Sequence, residues 1–259
     1  MADLNTVDLK LELRQALLHK LTALADDELV LGHRNSEWTG HAPILEEDIA
    51  LANLAQDELG HALLWYGLVQ EQDGGDPDAL VYFRKPEAYR NAQMLELPKG
   101  DWAFTMLRQY LFDAYEYVNL ARLAESTYVP LAETVAKIRK EEMFHLRHSH
   151  AWTERLGLGT PEANRRMQAA LETLWPAAQQ LFVPLPDEHL LVNAALVPDL
   201  VEVEAAWLEH VTPHLETSGL TLPTSYASQA TSRAAHTDHL TSLLEDLQQV
   251  ARLEPQGIW

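Results

Sequence analysis

Two Glu-x-x-His pairs, each in the middle of an apolar helical row, constrain this sequence most. They are Glu58 with His61 and Glu142 with His145. Residues three apart in a helix point to the same side, so each pair can present one carboxylate and one imidazole to a single metal ion. With 12 His in the chain, chance alone supplies about one such pair. The number of pairs is therefore no evidence for a metal site, whereas their positions in the helices are informative.

Both pairs interrupt rows of largely apolar residues spaced three and four apart. The first row is Leu51, Leu54, Glu58, His61, Trp65 and Leu68, and the second is Leu131, Val135, Ile138, Glu142, His145, Ser149, Trp152 and Leu156. A carboxylate on a buried row is costly unless it is paired, protonated or bound to a cation. Few Lys or Arg residues fall on these rows, which weakens an ion-pair interpretation and favours a metal.

Two further helices each place one acid on an apolar row, as a dinuclear carboxylate site requires. Glu28 lies among leucines 30 residues before Glu58, and Asp113 lies among aromatic and aliphatic residues 29 before Glu142. Glu116, one turn from Asp113, is on a wetter row, so we assign it to the surroundings of the site. The predicted ligands are Glu28, Glu58, His61, Asp113, Glu142 and His145.

Composition excludes several other classes of site and partner. The formal net charge is −20, which argues against nucleic acid or an anionic membrane as a partner. The chain has no cysteine, so disulfides, thiolate catalysis and iron–sulfur clusters within it are ruled out. The first residues are acidic where a signal peptide would be basic, and no apolar run approaches the length of a membrane span. We expect a cytoplasmic protein.

Helical periodicity predicts long helices separated by Gly- and Pro-rich breaks. The predicted helices are about 7–33, 44–72, 101–125, 131–156, 162–182, 197–215 and 225–252, with an irregular or briefly helical crossover at 79–98. Thr160 and Pro161 are expected to start the fifth helix, and Pro176 to bend it. No segment has the alternation of a strand.

Long helices, two short hairpin turns and one long crossover predict an all-α fold, a ferritin-like four-helix bundle with additional C-terminal helices. We treat residues 1–259 as one domain, with a core bundle at about 7–157 and a helical extension at about 161–259. His148 and His150 are interpreted as polar-face or interface residues, and Tyr110, Phe112, Tyr115, Tyr117 and Trp102 as core. Trp102, Trp207 and Trp259 are the candidate anchors of an exposed apolar patch that binds a partner.

Six motifs resemble a known family across essentially the whole chain. They are SEWTGHAP at 36–43, LANLAQDELG at 51–60, RQYLFD at 108–113, HLR at 145–147, WTERLG at 152–157 and HTDHL at 236–240. Together they are similar to the C-type subunits of phenylacetyl-CoA 1,2-epoxidase, a bacterial multicomponent monooxygenase in the ferritin-like di-iron carboxylate superfamily.

The resemblance implies a structural role in an oligomeric oxidoreductase complex. In that family an A-type catalytic subunit of the same fold holds two Fe ions, and a partner reductase with flavin and an iron–sulfur cluster delivers electrons from NADPH. The complex uses O2 to epoxidise the ring of phenylacetyl-CoA in phenylacetate degradation. The C-type subunits are usually called non-catalytic because ligand positions have decayed. This sequence departs from that pattern, because all six predicted positions can still bind metal.

Three functions remain open at this point. A structural subunit predicts an extensive face for a second four-helix protein and little oxidase activity alone. An oxygenase predicts iron bound by the six residues, an apolar pocket that reaches it, and turnover once a reductase is supplied. An iron-storage or peroxide-handling protein predicts self-assembly and ferroxidase activity without any substrate. The long C-terminal extension argues against a minimal storage bundle. We expect the structural role whether or not two Fe ions bind.

Overall fold

The computed structural model describes residues 11–224, 231–255 and 257. Within them the chain forms ten α-helices and no β-strand. The helices are α1 Leu11–Ser36, α2 Leu45–Asp73, α3 Pro77–Tyr82, α4 Gln93–Glu96, α5 Trp102–Leu123, α6 Val129–Gly157, α7 Pro161–Ala178, α8 Glu188–Asn193, α9 Leu200–Thr217 and α10 Asp238–Leu253. The all-α, ferritin-like fold class is confirmed, with the two long helix hairpins α1–α2 and α5–α6 that this class requires.

The chain folds as two compact units. The first unit comprises residues 17–98 with 233–255 and 257, and therefore contains most of α1, all of α2 to α4, and α10. The second unit comprises residues 11–16, 99–224 and 231–232, and contains α5 to α9. The prediction that the whole chain acts as one domain, with a core at about 7–157 and an extension beyond it, stays a prediction.

The first unit is organised around the hairpin of α1 and α2. Glu46, Glu47 and Asp48 lie in the first turn of α2, where carboxylates interact favourably with the helix dipole. Gly74 closes the other end in the left-handed conformation, with φ of 75°. The predicted apolar rows of both helices are buried, including Leu21 of α1 and Leu51 of α2.

Two buried ion pairs and one carboxylate–imidazole contact hold the crossover and the C-terminal segment of the first unit against α1 and α4. Asp26 pairs with Arg84. Asp27 accepts hydrogen bonds of 2.6 and 2.7 Å from Arg233. Glu96 lies 3.0 Å from Nδ1 of His236. Such pairs compensate the desolvation of their carboxylates and fix the path of the chain.

The second unit is built on the hairpin of α5 and α6, against which α7 and α9 pack. Asp101 caps α5 and Thr160 caps α7, each accepting a backbone N–H, so the predicted start of α7 is confirmed. A Cβ on Gly157 would clash with the carbonyl oxygen of Ser218. Only glycine therefore allows this close approach between the end of α6 and the turn after α9.

Several sequence predictions about elements are corrected. The crossover contains the two short helices α3 and α4 rather than one, with a 3-10 turn at Pro86–Ala88 between them. The ninth helix begins at Leu200, because Asp199 caps it. Residues 231–237 are not helical, and α10 starts only after the cap Thr237. The predicted helix starts at 7 and 225 lie outside the described residues.

Two predictions about side chains are also wrong. Tyr117 is 45% exposed, so it is not a core residue and it interrupts the buried row through Asp113, which continues at Leu120. Trp207 is fully buried, stacked on Trp175 and donating a 3.0 Å hydrogen bond to the carbonyl of Leu111, so it is a core residue and no anchor for a partner. Trp259 lies outside the described residues.

Candidate metal centre

The first unit brings three of the predicted ligands together. One oxygen each of Glu28 and Glu58 and one ring nitrogen of His61 lie within 4.8 Å of one another. All three side chains are at least 99% buried. Two carboxylates and an imidazole this close, away from water, form a donor set suited to a transition-metal ion.

Local sequence explains this geometry. Glu58 and His61 are one helical turn apart on α2, and Gly32 on α1 allows the two helices to approach closely. A Cβ on Gly32 would lie 3.0 Å from Cβ of Glu58. Trp65, one further turn along α2, donates a hydrogen bond of 3.4 Å to Oε1 of Glu28. The indole therefore orients the Glu28 carboxylate towards His61, as outer groups do around metal ligands.

Glu28 also supplies the observation that tests whether a cation fits. Its Oε2 is buried and accepts no hydrogen bond from any described residue, and it lies 3.7 Å from Nδ1 of His61. Burying a carboxylate oxygen that accepts no hydrogen bond destabilises the folded protein. A cation between Glu28, Glu58 and His61 would remove that cost, so these residues fit a metal ion.

The second unit brings together the other three predicted ligands, Asp113, Glu142 and His145. Unlike Glu28 in the first unit, Asp113 has hydrogen-bond donors for both of its oxygens. Nδ1 of His145 lies 2.9 Å from Oε1 of Glu142. Both oxygens of Asp113 already accept hydrogen bonds, each of 2.6 Å, one from the amide of Gln109 and one from the hydroxyl of Ser149. Asp113 is thus less available to a cation than Glu28 is.

The charge state of Asp113 follows from its surroundings. Burial raises the pKa of Asp113 to about 8, and the nearby Glu142 carboxylate acts in the same direction. His145, Ser149 and Gln109 act in the opposite direction. Two acids in an apolar space do not both ionise readily, so one of them holds a proton near neutral pH.

The preference for Asp113 over Glu116 as a ligand assumes that the helical row through Glu116 is more exposed to solvent. That assumption is wrong. Thr105, Gln109 and Asn119 on that row are all buried, as is Glu116 itself. The assignment of Glu116 to the surroundings of the site stays a prediction. The convergence of all six predicted ligands on one region also stays a prediction.

Sequence reasoning missed the hydrogen-bond donors of Asp113. Gln109 precedes it by one turn on α5, and Ser149 follows His145 by one turn on the row through the second Glu-x-x-His pair. Both positions carried a signal, because a polar residue on a buried row needs a partner. The sequence interpretation considered only acids and histidines as residues on buried rows that need a partner.

A histidine cluster in the second unit was also missed. The rings of His150 on α6 and His214 on α9 stack with centroids 3.4 Å apart, and His214 contacts the backbone carbonyl of His150 at 3.2 Å. Tyr110, which is fully buried, packs against His214. Of the two stacked histidines, only His150 is named from sequence, as a polar-face or interface residue. Residue spacing within α6 gives no sign that α9 packs against His150.

The fold and these residues define a class of protein. It is an all-α protein of the ferritin-like class whose two helix hairpins each carry carboxylates and an imidazole on buried rows. The family described as phenylacetic acid catabolic protein matches residues 5–259, and the chain belongs to that family.

Two relatives from Escherichia coli (strain K12) are similar to this chain, and both are components of 1,2-phenylacetyl-CoA epoxidase. The chain is 36% identical over 248 residues to the C-type component, and the match covers 93% of this chain and 100% of that relative. It is 25% identical over 216 residues to the A-type component, and this match covers 81% of this chain and 69% of that relative.

No helix among the described residues is long and apolar enough to cross a membrane.

Proposed function

We propose that this chain is the structural, C-type subunit of a multicomponent oxygenase that epoxidises the ring of phenylacetyl-CoA in phenylacetate degradation. The observation that carries the proposal is the 36% identity along the entire length of the C-type relative. The A-type relative is less similar, and the match leaves about a third of it uncovered. An A-type catalytic chain would instead be more similar to the A-type relative and would align with a larger share of it.

In this proposal the chain is a partner of the subunit that carries out the chemistry. It pairs with an A-type catalytic subunit in the cytoplasm, while a reductase with flavin and an iron–sulfur cluster supplies electrons from NADPH. Its own acids and histidines then have no required part in turnover. The second unit fits this role, because the oxygens of Asp113 are engaged by Gln109 and Ser149.

The test is to co-express the chain with its A-type partner and to replace both Glu58 and Glu142 by Gln. We expect the complex to assemble and its rate of phenylacetyl-CoA oxidation to stay within about twofold of the unaltered complex. Loss of turnover in a complex that still assembles would overturn the structural role. Failure of the unaltered chains to associate would overturn it too.

A second candidate is a metal-binding oxygenase or ferroxidase, and the set formed by Glu28, Glu58 and His61 favours it. Those residues would hold one ion, and Glu142 and His145 offer ligands for another. A pair of iron ions ligated by carboxylates and imidazoles supplies the chemistry of O2 activation. Protein purified from iron-supplemented cells would then contain about two Fe per chain by elemental analysis, whatever its activity.

A further inference from the structure

The outward side of α2 is uncharged over four turns, although the chain as a whole is highly charged. We call this surface the uncharged face of α2, and it consists of Ile49, Asn53, Gln56, Leu59, Gly60 and Leu63, all exposed. Leu63 is 62% exposed and Ile49 53%. The face is about 21 Å long at 1.5 Å per residue. Asp57 only borders it, half-buried.

Two glycines on this side of α2 have no explanation within the described chain. No atom lies within 4 Å of the position that a Cβ would take on Gly60 or Gly67. A glycine in a helix interior costs about 1 kcal/mol relative to alanine. Gly32 is different, because α2 occupies the space that its side chain would need. Glycines that face outward beside exposed leucines allow the backbone of another helix to approach.

The charge of α2 indicates what kind of helix that is. Leu45–Asp73 contains seven carboxylates and no Lys or Arg. Exposed acids flank the uncharged face at both ends, Glu46 at one and Glu71 at the other. A second copy of this chain would place acid against acid whether the two helices ran parallel or antiparallel. A fitting partner is therefore a different protein, with an apolar centre and basic residues at the ends of its helix.

We propose that the uncharged face of α2 is the docking surface for a helix of the A-type partner, with basic side chains of that partner meeting the acidic ends. The identity of the partner rests on the proposed function, whereas the position and chemistry of the surface rest on α2. One helix face is smaller than the roughly 800 Å² per partner of a stable interface. The face is thus the apolar centre of a larger contact, where truncation is most costly.

The experiment compares single charges introduced at matched exposed apolar positions. Leu63→Glu lies in the uncharged face, and Val201→Glu, at a position 71% exposed on α9, is its control. Binding of the purified A-type partner is measured by calorimetry. We expect Leu63→Glu to raise Kd by at least about tenfold and Val201→Glu to leave it unchanged. Circular dichroism melts of each free variant, unchanged from those of the unaltered chain, establish that folding is intact.

A second arm tests the charges at the ends. Replacing Glu46 and Glu71 together by Lys should weaken binding and reduce its dependence on salt. Equal binding by Leu63→Glu and the unaltered chain would overturn the docking surface while leaving the proposed function intact. Self-association of the unaltered chain that Leu63→Glu abolishes would overturn the choice of partner. No binding by the unaltered chain would instead be a failure of the proposed function.

Discussion

Glu28 is the residue on which metal binding in the first unit depends most. It is the only ligand of its set that α1 contributes, and Oε2 accepts no hydrogen bond from the described chain. Glu58 and His61 come from one turn of α2 and would present only two donors. Two donors on one turn hold an ion weakly, whereas a third from another helix fixes its position.

Glu28→Gln should therefore abolish stabilisation by a divalent transition metal. An ion that binds only the folded state stabilises it by about 2.7 kcal/mol at one hundred times its Kd. We expect Co²⁺ or Mn²⁺ to raise the melting temperature of the unaltered chain and to leave Glu28→Gln unchanged. Asp113→Asn is the matched control, and should keep most of the shift because Gln109 and Ser149 already bind Asp113. Equal shifts in both variants would contradict this.

His214 gives a pH dependence of known sign. Burial, and then the neighbouring charge of His150, lower the pKa of His214 from its ordinary 6.5 to about 4. Between these values the unfolded chain binds a proton that the folded chain does not, so stability falls as pH drops from 6.5 towards 4. The phenylalanine variant His214→Phe keeps an aromatic ring beside His150 and removes the titration.

We expect the free energy of unfolding of His214→Phe to fall less steeply than that of the unaltered chain between about pH 6.5 and 4.5. Urea unfolding at several pH values measures it. Above about pH 8 the two proteins should show parallel curves, because His214 is neutral in both the folded and the unfolded states there. A steeper acid loss in the variant would contradict the assignment.

At the scale of elements, periodicity predicts the long helices well because it depends only on their own residues. The bounds of α2, α5 and α6 differ from prediction by one or two residues at each end. Periodicity fails where contacts between distant parts of the chain determine the local structure. Residues 231–237 are predicted as part of the last helix, but they form turns and irregular structure in which Arg233 pairs with Asp27 and His236 contacts Glu96. The burial of most of α5 is also invisible in one sequence, because α6, α7 and α9 all pack against it.

Two glycines, Gly32 and Gly67, give a prediction about stability, because Gly32 faces the neighbouring helix and Gly67 faces open space. Gly32→Ala should destabilise the chain by about 1–3 kcal/mol, because the new Cβ meets Glu58 and the carbonyl of Ala55 near 3 Å. Gly67→Ala meets nothing and should stabilise it by up to about 1 kcal/mol. Urea denaturation of the two variants measures both. A Gly32→Ala protein as stable as the unaltered chain would show that α1 and α2 are further apart than described.

At the scale of the whole molecule, the sequence predicts the class of fold but not its division into units. Arg233 belongs to the first unit although it lies 206 residues beyond its partner Asp27. Nothing local marks such a pairing, since Asp26 and Asp27 look like a solvated acidic run before Glu28. The predicted boundary near residue 157, between the core bundle and the C-terminal extension, follows the Gly-rich break after α6, and it stays a prediction.

Arg233→Ala tests whether the two units unfold separately. The variant leaves Asp27 buried with only the backbone N–H of Ala92 as a described donor, and breaking a buried pair from one side costs about 3–5 kcal/mol. If the units are cooperative on their own, hydrogen exchange should accelerate in α2 and α10 and stay unchanged in α5 and α6. Arg166→Ala is the control, because it removes only exposed pairs, one with Glu162 and one with Asp101, and should change neither unit. Equal acceleration in α2 and α5 would contradict separate unfolding and support the single domain predicted from the sequence.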